Sequence, residues 1–201
     1  MRPGTALRRR PGRSGAAIAL VAAVLLPASA AAAPPDSIAT ARLGRADLAT
    51  LLPGVAHGAC PVPGVLTAGQ PDSAGVTRIA AAGYRALLDL RTNAEARGFR
   101  ESEAAKRAGL RYVKLAVGRD QLPDGTVRRF RAFMNDPANH PVVVHCASGN
   151  RVGALLLPWL VLDRGMPLDQ AVRLAEESGL RGARLKARAL AYIERERAAR
   201  P

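Results

Sequence analysis

The sequence predicts an α/β fold: a mainly parallel central sheet flanked by helices, a three-layer sandwich with a helical C-terminal layer. Three observations point to it. Short apolar runs alternate with helical spacings from Val65 to His145, the signature of strand–helix–strand units. The run Pro141-Val142-Val143-Val144-His145 is apolar up to its last residue, as a strand buried on both faces requires. After Arg151 the spacing is helical to the C-terminus.

In chain order, a short helix is expected around Arg45–Leu52, within a lead-in that carries Pro34, Pro35, Pro53, Pro61 and Pro63. Val65–Ala68 reads as a short strand. A helix over Asp72–Ala82 is capped by Asp72 or Ser73 and stopped by Gly83. Tyr84–Leu90 is a second strand, and Asn93–Ala108 a charged helix ending at Gly109. Leu110–Val117 alternates as a strand. Asp124–Asn135 places Val127, Phe130, Phe133 and Met134 on one helical face. Val152–Asp163 is the buried helix behind the central strand, with Pro158 expected to kink it. Leu168–Ser178 and Arg184–Ala199 complete the helical layer, and Trp159 belongs to the core. With no repeat or long linker, the expected organisation is a segment 1–32, an irregular lead-in 33–63 and one domain over 64–201.

Composition narrows the function. A hydrophobic share of 48% and only two cysteines exclude a disordered acidic tail and a disulfide-rich mini-protein. One segment alone is apolar enough to be considered for a membrane, which excludes a polytopic membrane protein. That segment runs from Gly15 to Leu26, after Arg2, Arg8, Arg9, Arg10 and Arg13 and before Ala28-Ser29-Ala30-Ala31-Ala32-Ala33. A basic start, a short apolar stretch and an Ala-x-Ala exit read as a secretory signal peptide, cut after Ala30 or Ala32. The expected location is therefore periplasmic or secreted, without stable membrane insertion after cleavage. Removing the leader takes five arginines and no acid from the formal charge of +14. The rest stays basic, but 27 arginines against three lysines in an Ala-, Gly- and Pro-rich chain look like compositional bias. Arg184, Arg188, Arg195 and Arg197 interleave with Glu194 and Glu196, the pattern of a solvated helix face. No nucleic-acid partner is expected, and the partner implied is an anionic substrate.

The chemistry sits in Val142-Val143-Val144-His145-Cys146-Ala147-Ser148-Gly149-Asn150-Arg151-Val152-Gly153. A buried strand ends in a cysteine, a tight loop follows, and an arginine opens a helix. Backbone N–H groups and the helix dipole at such a junction form a cradle for an anion. Ala147, Ser148, Gly149, Asn150 and Arg151 are the candidate anion-binding residues. A thiol held there is expected to be largely thiolate near neutral pH. Arg151 can grip an oxyanion through two parallel hydrogen bonds. Gly149 permits the positive φ the loop needs, and His145 can orient the loop through its ring nitrogens.

His-Cys-x-x-Gly-x-Arg-x-Gly after an apolar strand resembles the cysteine-dependent phosphatases of the dual-specificity type. The resemblance extends to Leu66-Thr67-Ala68-Gly69-Gln70-Pro71, to Gly83-Tyr84-Arg85-Ala86-Leu87-Leu88-Asp89-Leu90-Arg91 and to Glu95. These segments are similar to a bacterial branch: the phosphatase-like domain of beta-lactamase-hydrolase-like proteins and the one fused to NAD kinases. The resemblance covers about residues 64–180. It implies a cysteine-phosphatase-like fold, Cys146 as nucleophile, Arg151 as oxyanion clamp and a phosphocysteine intermediate. It also implies a general acid on the loop after the third strand, where Asp120 is the first candidate and Asp124 the second. Asp120 can equally be a solvated loop residue, and Asp124 sits where a helix cap is natural.

Two departures keep other functions open. Four residues separate Cys146 from Arg151, where the phosphatases have five. The shorter loop is similar to that of rhodanese sulfurtransferases, which carry a cysteine persulfide. Val152 stands where phosphatases usually have Ser or Thr, so only Ser148 offers a loop hydroxyl. A sulfurtransferase and a non-catalytic module binding a phospho-ligand or other anion are thus the alternatives. Asp89 and Arg91 are expected to form a supporting salt bridge, and His57 and His140 to be surface or turn residues. No spacing of His, Cys and carboxylates resembles a metal site, and no cofactor is expected. Cys60, the second thiol, is expected at the end of the sheet opposite the loop, out of reach of Cys146.

Overall fold

A computed structural model describes Met1 and residues 45–95 and 98–199. Apart from Met1, the segment 1–32 expected to be a signal peptide, its expected cleavage sites and the first part of the lead-in lie outside the described residues.

Seven α-helices, a 3₁₀ turn (Pro137–Asn139) and five strands are formed by the described residues. The helices are α1 (Arg45–Leu51), α2 (Ser73–Ala81), α3 (Glu101–Arg107), α4 (Asp124–Asn135), α5 (Asn150–Leu162), α6 (Leu168–Glu177) and α7 (Ala183–Ala198). The strands are β1 (Ala59–Val62), β2 (Val65–Ala68), β3 (Ala86–Asp89), β4 (Arg111–Lys114) and β5 (Val142–His145). The sheet order is β1-β2-β5-β3-β4, with β1 antiparallel to β2 and the other pairs parallel. The triple valine places β5 at the centre, where all four of its residues are buried.

Alternation along the strands divides the core. Val142 and Val144, with Ala86 and Leu88 of β3, join the cluster under α4–α7. Val143, Leu87 and Leu66 point to the opposite face, among residues of α1–α3. Successive strand residues face opposite sides of a sheet, so one run of valines serves both layers. α5 is buried from Arg151 to Leu162 and lies behind the central strand. The helix continues through Pro158.

Three boundaries differ from expectation. β1 lies in the lead-in read as irregular; Pro61 and Pro63 obscure it, but a proline is tolerated on an edge strand. α3 begins at Glu101 instead of Asn93. Within its expected first turns, residues 93–95 and 98–100 are not helical: the Glu95 carboxylate accepts the Thr92 N–H at 2.8 Å and Gly98 has φ +71. β4 stops at Lys114, and residues 115–123 form a loop. No helix among the described residues is long and apolar enough to cross a membrane.

Candidate active site

β2, β5 and β3 run parallel, so their C-terminal ends share one edge of the sheet. There the chain leaves His145, turns through Cys146–Gly149 and enters α5. Cys146 is 1% exposed, and its Sγ accepts the Gly149 N–H at 3.1 Å. Gly149 is the N-cap of α5 with φ +83, a conformation only glycine adopts at little cost. No side chain caps α5, which leaves its first-turn N–H groups for an anion. The flank of the loop is held by β2 and the residues after it. Cys146 N donates to the Ala68 carbonyl at 3.4 Å, and Gln70 N to the Ala147 carbonyl at 3.3 Å. A Cβ on Gly69 would lie 3.2 Å from that Ala147 carbonyl and 3.0 Å from the carbonyl of Ala56.

Arg151 stands over the loop and is fixed from several sides. Nη1 and Nη2 donate to the two carboxylate oxygens of Glu95 at 2.7 and 2.6 Å. Nη1 also reaches the carbonyls of Val117 at 2.9 Å and Leu90 at 3.4 Å. The pair is nearly enclosed, with 5% and 11% side-chain exposure. The Arg151 fork holds the Glu95 carboxyl down at about 2. Burial works against the charge of Arg151, but Glu95 and the Cys146 sulfur outweigh it and keep the cation above its ordinary value. A buried thiol, helix-end amides and a pre-positioned guanidinium thus converge on one point. Such a set can bind a tetrahedral oxyanion and present sulfur to its centre.

The family model described as "DSP-PTPase phosphatase fused to NAD+ Kinase" matches residues 64–192. The chain belongs to this DSP-PTPase family. A beta-lactamase hydrolase-like protein of Xylella fastidiosa strain 9a5c is 30% identical over 133 residues. That stretch is 64% of this chain and 30% of the relative, so the chain spans between a quarter and a third of the curated relatives it matches. Among solved structures, a candidate phosphatase of Shewanella putrefaciens CN-32 gives a TM-score of 0.62 at 18% identity, covering 73% of this chain and 97% of that one. The core catalytic domain of the S. cerevisiae PP-IP phosphatase, solved with citrate, gives 0.58 at 17% identity, covering 74% and 93%. TpbA of P. aeruginosa, solved with pTyr, gives 0.51 at 16% identity, covering 67% and 79%.

Beneath the loop of this DSP-PTPase domain lies a charge network whose centre, Asp89, Arg91, Glu101 and His145, is buried. Arg91 Nε donates to Asp89 Oδ1 at 2.9 Å and Nη2 to Oδ2 at 3.2 Å. The same Nη2 donates to Glu101 of α3. Tyr112 Oη and Lys114 Nζ of β4 reach Asp89 Oδ2 at 2.8 and 3.2 Å. Burial opposes ionisation of Asp89, but Arg91, His145 and Tyr112 prevail and hold its carboxyl below the usual carboxylate range. His145 does not turn its ring to the loop. Its Nε2 lies 3.3 Å from Glu101 and 3.9 Å from Asp89. The expected orienting role thus reduces to the backbone, where the His145 carbonyl accepts from Leu90 N at 2.9 Å. Asp89, Glu101 and His145 offer atoms within 4.8 Å of one another, a grouping their spacing in sequence conceals. The guanidinium of Arg91 is bonded to both carboxylates and supplies positive charge there.

The other predicted residues divide. Asp120 is exposed in the 115–123 loop, which is fastened to the site where the Val117 carbonyl meets Arg151. Asp124 is the first residue of α4, not its cap, and is bound by Arg195 of α7 at 2.7 Å. Asn150 turns its Oδ1 away to accept the N–H groups of Arg181 and Gly182, both at 2.9 Å. Of Asn150, therefore, only the backbone serves the cradle. Ser148 is exposed and pairs through its backbone with Gly69. Val152 is fully buried. The N-terminus of α5 rests on the turn after α6: a Cβ on Gly149 would lie 3.2 Å from Gly179 Cα. Glu101 and this Ser178–Gly179 support were not legible, because contacts far apart in sequence create both.

Neither Cys60 nor Cys146 forms a disulfide among the described residues. The reason expected for Cys60 is corrected. β1 is antiparallel to β2 with Ala59 opposite Thr67, so Cys60 lies toward the same sheet end as the loop. The separation instead comes from β2, which stands between β1 and β5. Two strand spacings are roughly 9–10 Å, beyond disulfide reach.

Proposed function

We propose that this phosphatase-family domain hydrolyses phosphate monoesters through a phosphocysteine at Cys146. The observation that carries the reading is the convergence of the Gly149 N–H on the Cys146 sulfur with Arg151 fixed by Glu95 over the same loop. The Cys146 thiolate attacks phosphorus, forming the S–P bond as the bond to the leaving oxygen breaks. Loop amides and Arg151 hold the equatorial oxygens while charge builds on them. Asp120 gives its proton to the leaving oxygen. Water then attacks phosphorus and gives a proton back to the Asp120 carboxylate, the S–P bond breaks, and phosphate and the Cys146 thiolate are released with Asp120 protonated again. Ala147, Ser148, Gly149 and Asn150 contribute backbone N–H groups. The leader read from the sequence supports a periplasmic or secreted place of action, which fractionation of expressing cells tests.

A paired assay tests the chemistry. The purified domain and its Cys146→Ser variant are given an aryl phosphate and, separately, thiosulfate with cyanide. Phosphate release lost in the variant is the expected result. Thiocyanate formation without phosphate release would replace the reading with the sulfurtransferase that the four-residue spacing resembles. Anion binding with neither activity would leave a binding module. Asp120→Asn should slow turnover most for esters with poor leaving groups; equal rates across a leaving-group series would remove Asp120 from the mechanism.

A further inference from the structure

A cleft of about 790 Å³ opens beside the active loop. Leu48, Leu52 and Val55 line it, together with His57, Cys60 and Arg181. Two of its walls are joined to the loop itself. On one side, Gly69 N donates to the Ala56 carbonyl at 2.7 Å, and a Cβ on Gly149 would lie 3.1 Å from His57 Cβ. On the other, Arg181 N donates to the Asn150 side chain. A single residue, Gly149, therefore points its N–H at the Cys146 sulfur and packs its other side on His57.

His57 has φ +54, a left-handed conformation uncommon for a residue with a Cβ. Residues held so tend to collect at ligand sites. Its Nε2 lies 3.1 Å from Nη1 of Arg181. Burial, then the Arg181 charge, lowers the His57 pKa, so a neutral imidazole accepts from the guanidinium. Arg181 is exposed and forms no ion pair among the described residues. The cleft's carboxylates are Glu176, held by Lys186 at 2.7 Å, and Glu177; neither pairs with Arg181. A guanidinium aimed by one edge keeps donors for a planar, two-pronged grip on an anion.

We infer that Arg181, aimed by His57, is a second anion-recognition point beside the Cys146 loop. The preferred substrate is then a phosphate monoester that carries a further phosphoryl or carboxylate group. This rests on the phosphatase reading above and deepens it. Arg181 touches the substrate's distal group; His57 acts through Arg181 as a positioning residue.

The Cys146→Ser protein, which can bind without forming the phosphocysteine, is titrated calorimetrically. The probes are phenyl phosphate, 4-carboxyphenyl phosphate, hydroquinone bisphosphate, and phosphotyrosine peptides with Glu or Gln at the following position. The readout is the ratio of affinities, second anion present against absent. That ratio should exceed one for at least one pair and fall about tenfold in Arg181→Gln, the loss of one charge-assisted contact. Arg181→Lys should restore part of it, and His57→Gly should lower it without removing the Arg181 charge. A gain confined to the small probes identifies a small-molecule substrate; one confined to the Glu peptide identifies an acidic phosphopeptide. A ratio near one in the parent protein, or one unchanged by Arg181→Gln, overturns the inference. Phosphate release by the Cys146 protein is followed in parallel. Its absence would overturn the catalytic reading alone, while the affinity ratios still decide the role of Arg181.

Discussion

Glu95 decides where Arg151 can stand. Its carboxylate takes both terminal nitrogens of the guanidinium, and the Thr92 N–H fixes the carboxylate in turn. Glu95→Gln keeps the shape but offers one acceptor in place of two and no charge. Hydrogen bonds to charged groups contribute about 1.5–3 kcal/mol, so kcat/KM for an aryl phosphate should fall about ten- to hundredfold. Steady-state kinetics check this, with circular dichroism showing an intact fold; an unchanged kcat/KM would mean that the backbone carbonyls alone hold Arg151. The pH dependence follows from the depressed carboxyl. Glu95 sits at about 2 in the folded chain against an ordinary value of 4.5. Its contribution to stability is fully present above 4.5 and is lost as pH falls through about 2. Acid unfolding of Glu95→Gln should therefore be shallower between those values than that of the parent. Cys146 and Arg151 were legible because strand, loop and helix start are contiguous in sequence. The partner of Arg151 lies on a loop 56 residues earlier, and no local pattern in the sequence joins the two.

Elements depend on close approach, and three glycines separate that from backbone strain. Gly153 of α5 faces the Ala175 carbonyl of α6, where an added Cβ would overlap that oxygen and lie 2.7 Å from Leu180 Cβ. Its backbone is helical and carries no strain of its own. Gly165 is the opposite case, with φ +64 and open space around it. Gly149 combines both, with φ +83 and His57 and Gly179 at contact. Gly165→Ala should cost about 1–2 kcal/mol from the left-handed conformation alone. Gly153→Ala should cost about 1–3 kcal/mol or more from overpacking and also lower activity, since α5 carries the cradle. Urea unfolding measures both, and equal activity loss in the two variants would disconnect the α5–α6 contact from the site. Legibility varied for related reasons. α4 was readable to the residue because its apolar side repeats at helical spacing and Pro123 precedes it. β1 is hidden in the sequence because its prolines mark a turn unless the strand is known to be an edge. α3 is shorter than its composition implies, because the charged run from Asn93 has helical composition while Glu95 is drawn to Thr92 and Arg151.

At the scale of the molecule, charge buried behind the loop connects elements that the apolar core alone would not orient. Asp89 ends β3, Glu101 starts α3, Tyr112 and Lys114 belong to β4, and His145 ends β5. Arg91 is the hinge of this set, since its guanidinium bonds both buried carboxylates. Ion pairs taken out of water contribute little net stability, but removing one partner leaves uncompensated charge. Arg91→Met removes the cation from two carboxylates that are themselves without exposure, and should cost about 3–5 kcal/mol. Asp89→Asn should cost less, because the amide oxygen still accepts from Arg91 and Glu101 still neutralises it. Lys114→Met should cost least, its side chain being 25% exposed to water. The pH sign supports the same order. Asp89 is held below the usual carboxylate range, so its contribution is present above the ordinary value and fades as pH drops below it. That fading should be absent in Asp89→Asn and enfeebled in Arg91→Met. Urea midpoints for the three variants, taken at neutral pH and again near pH 3, read both effects. If Lys114→Met proves as damaging as Arg91→Met, the network is organised from β4 and the solvent side. The loop would then owe its support to the sheet edge, not to the buried arginine beneath it.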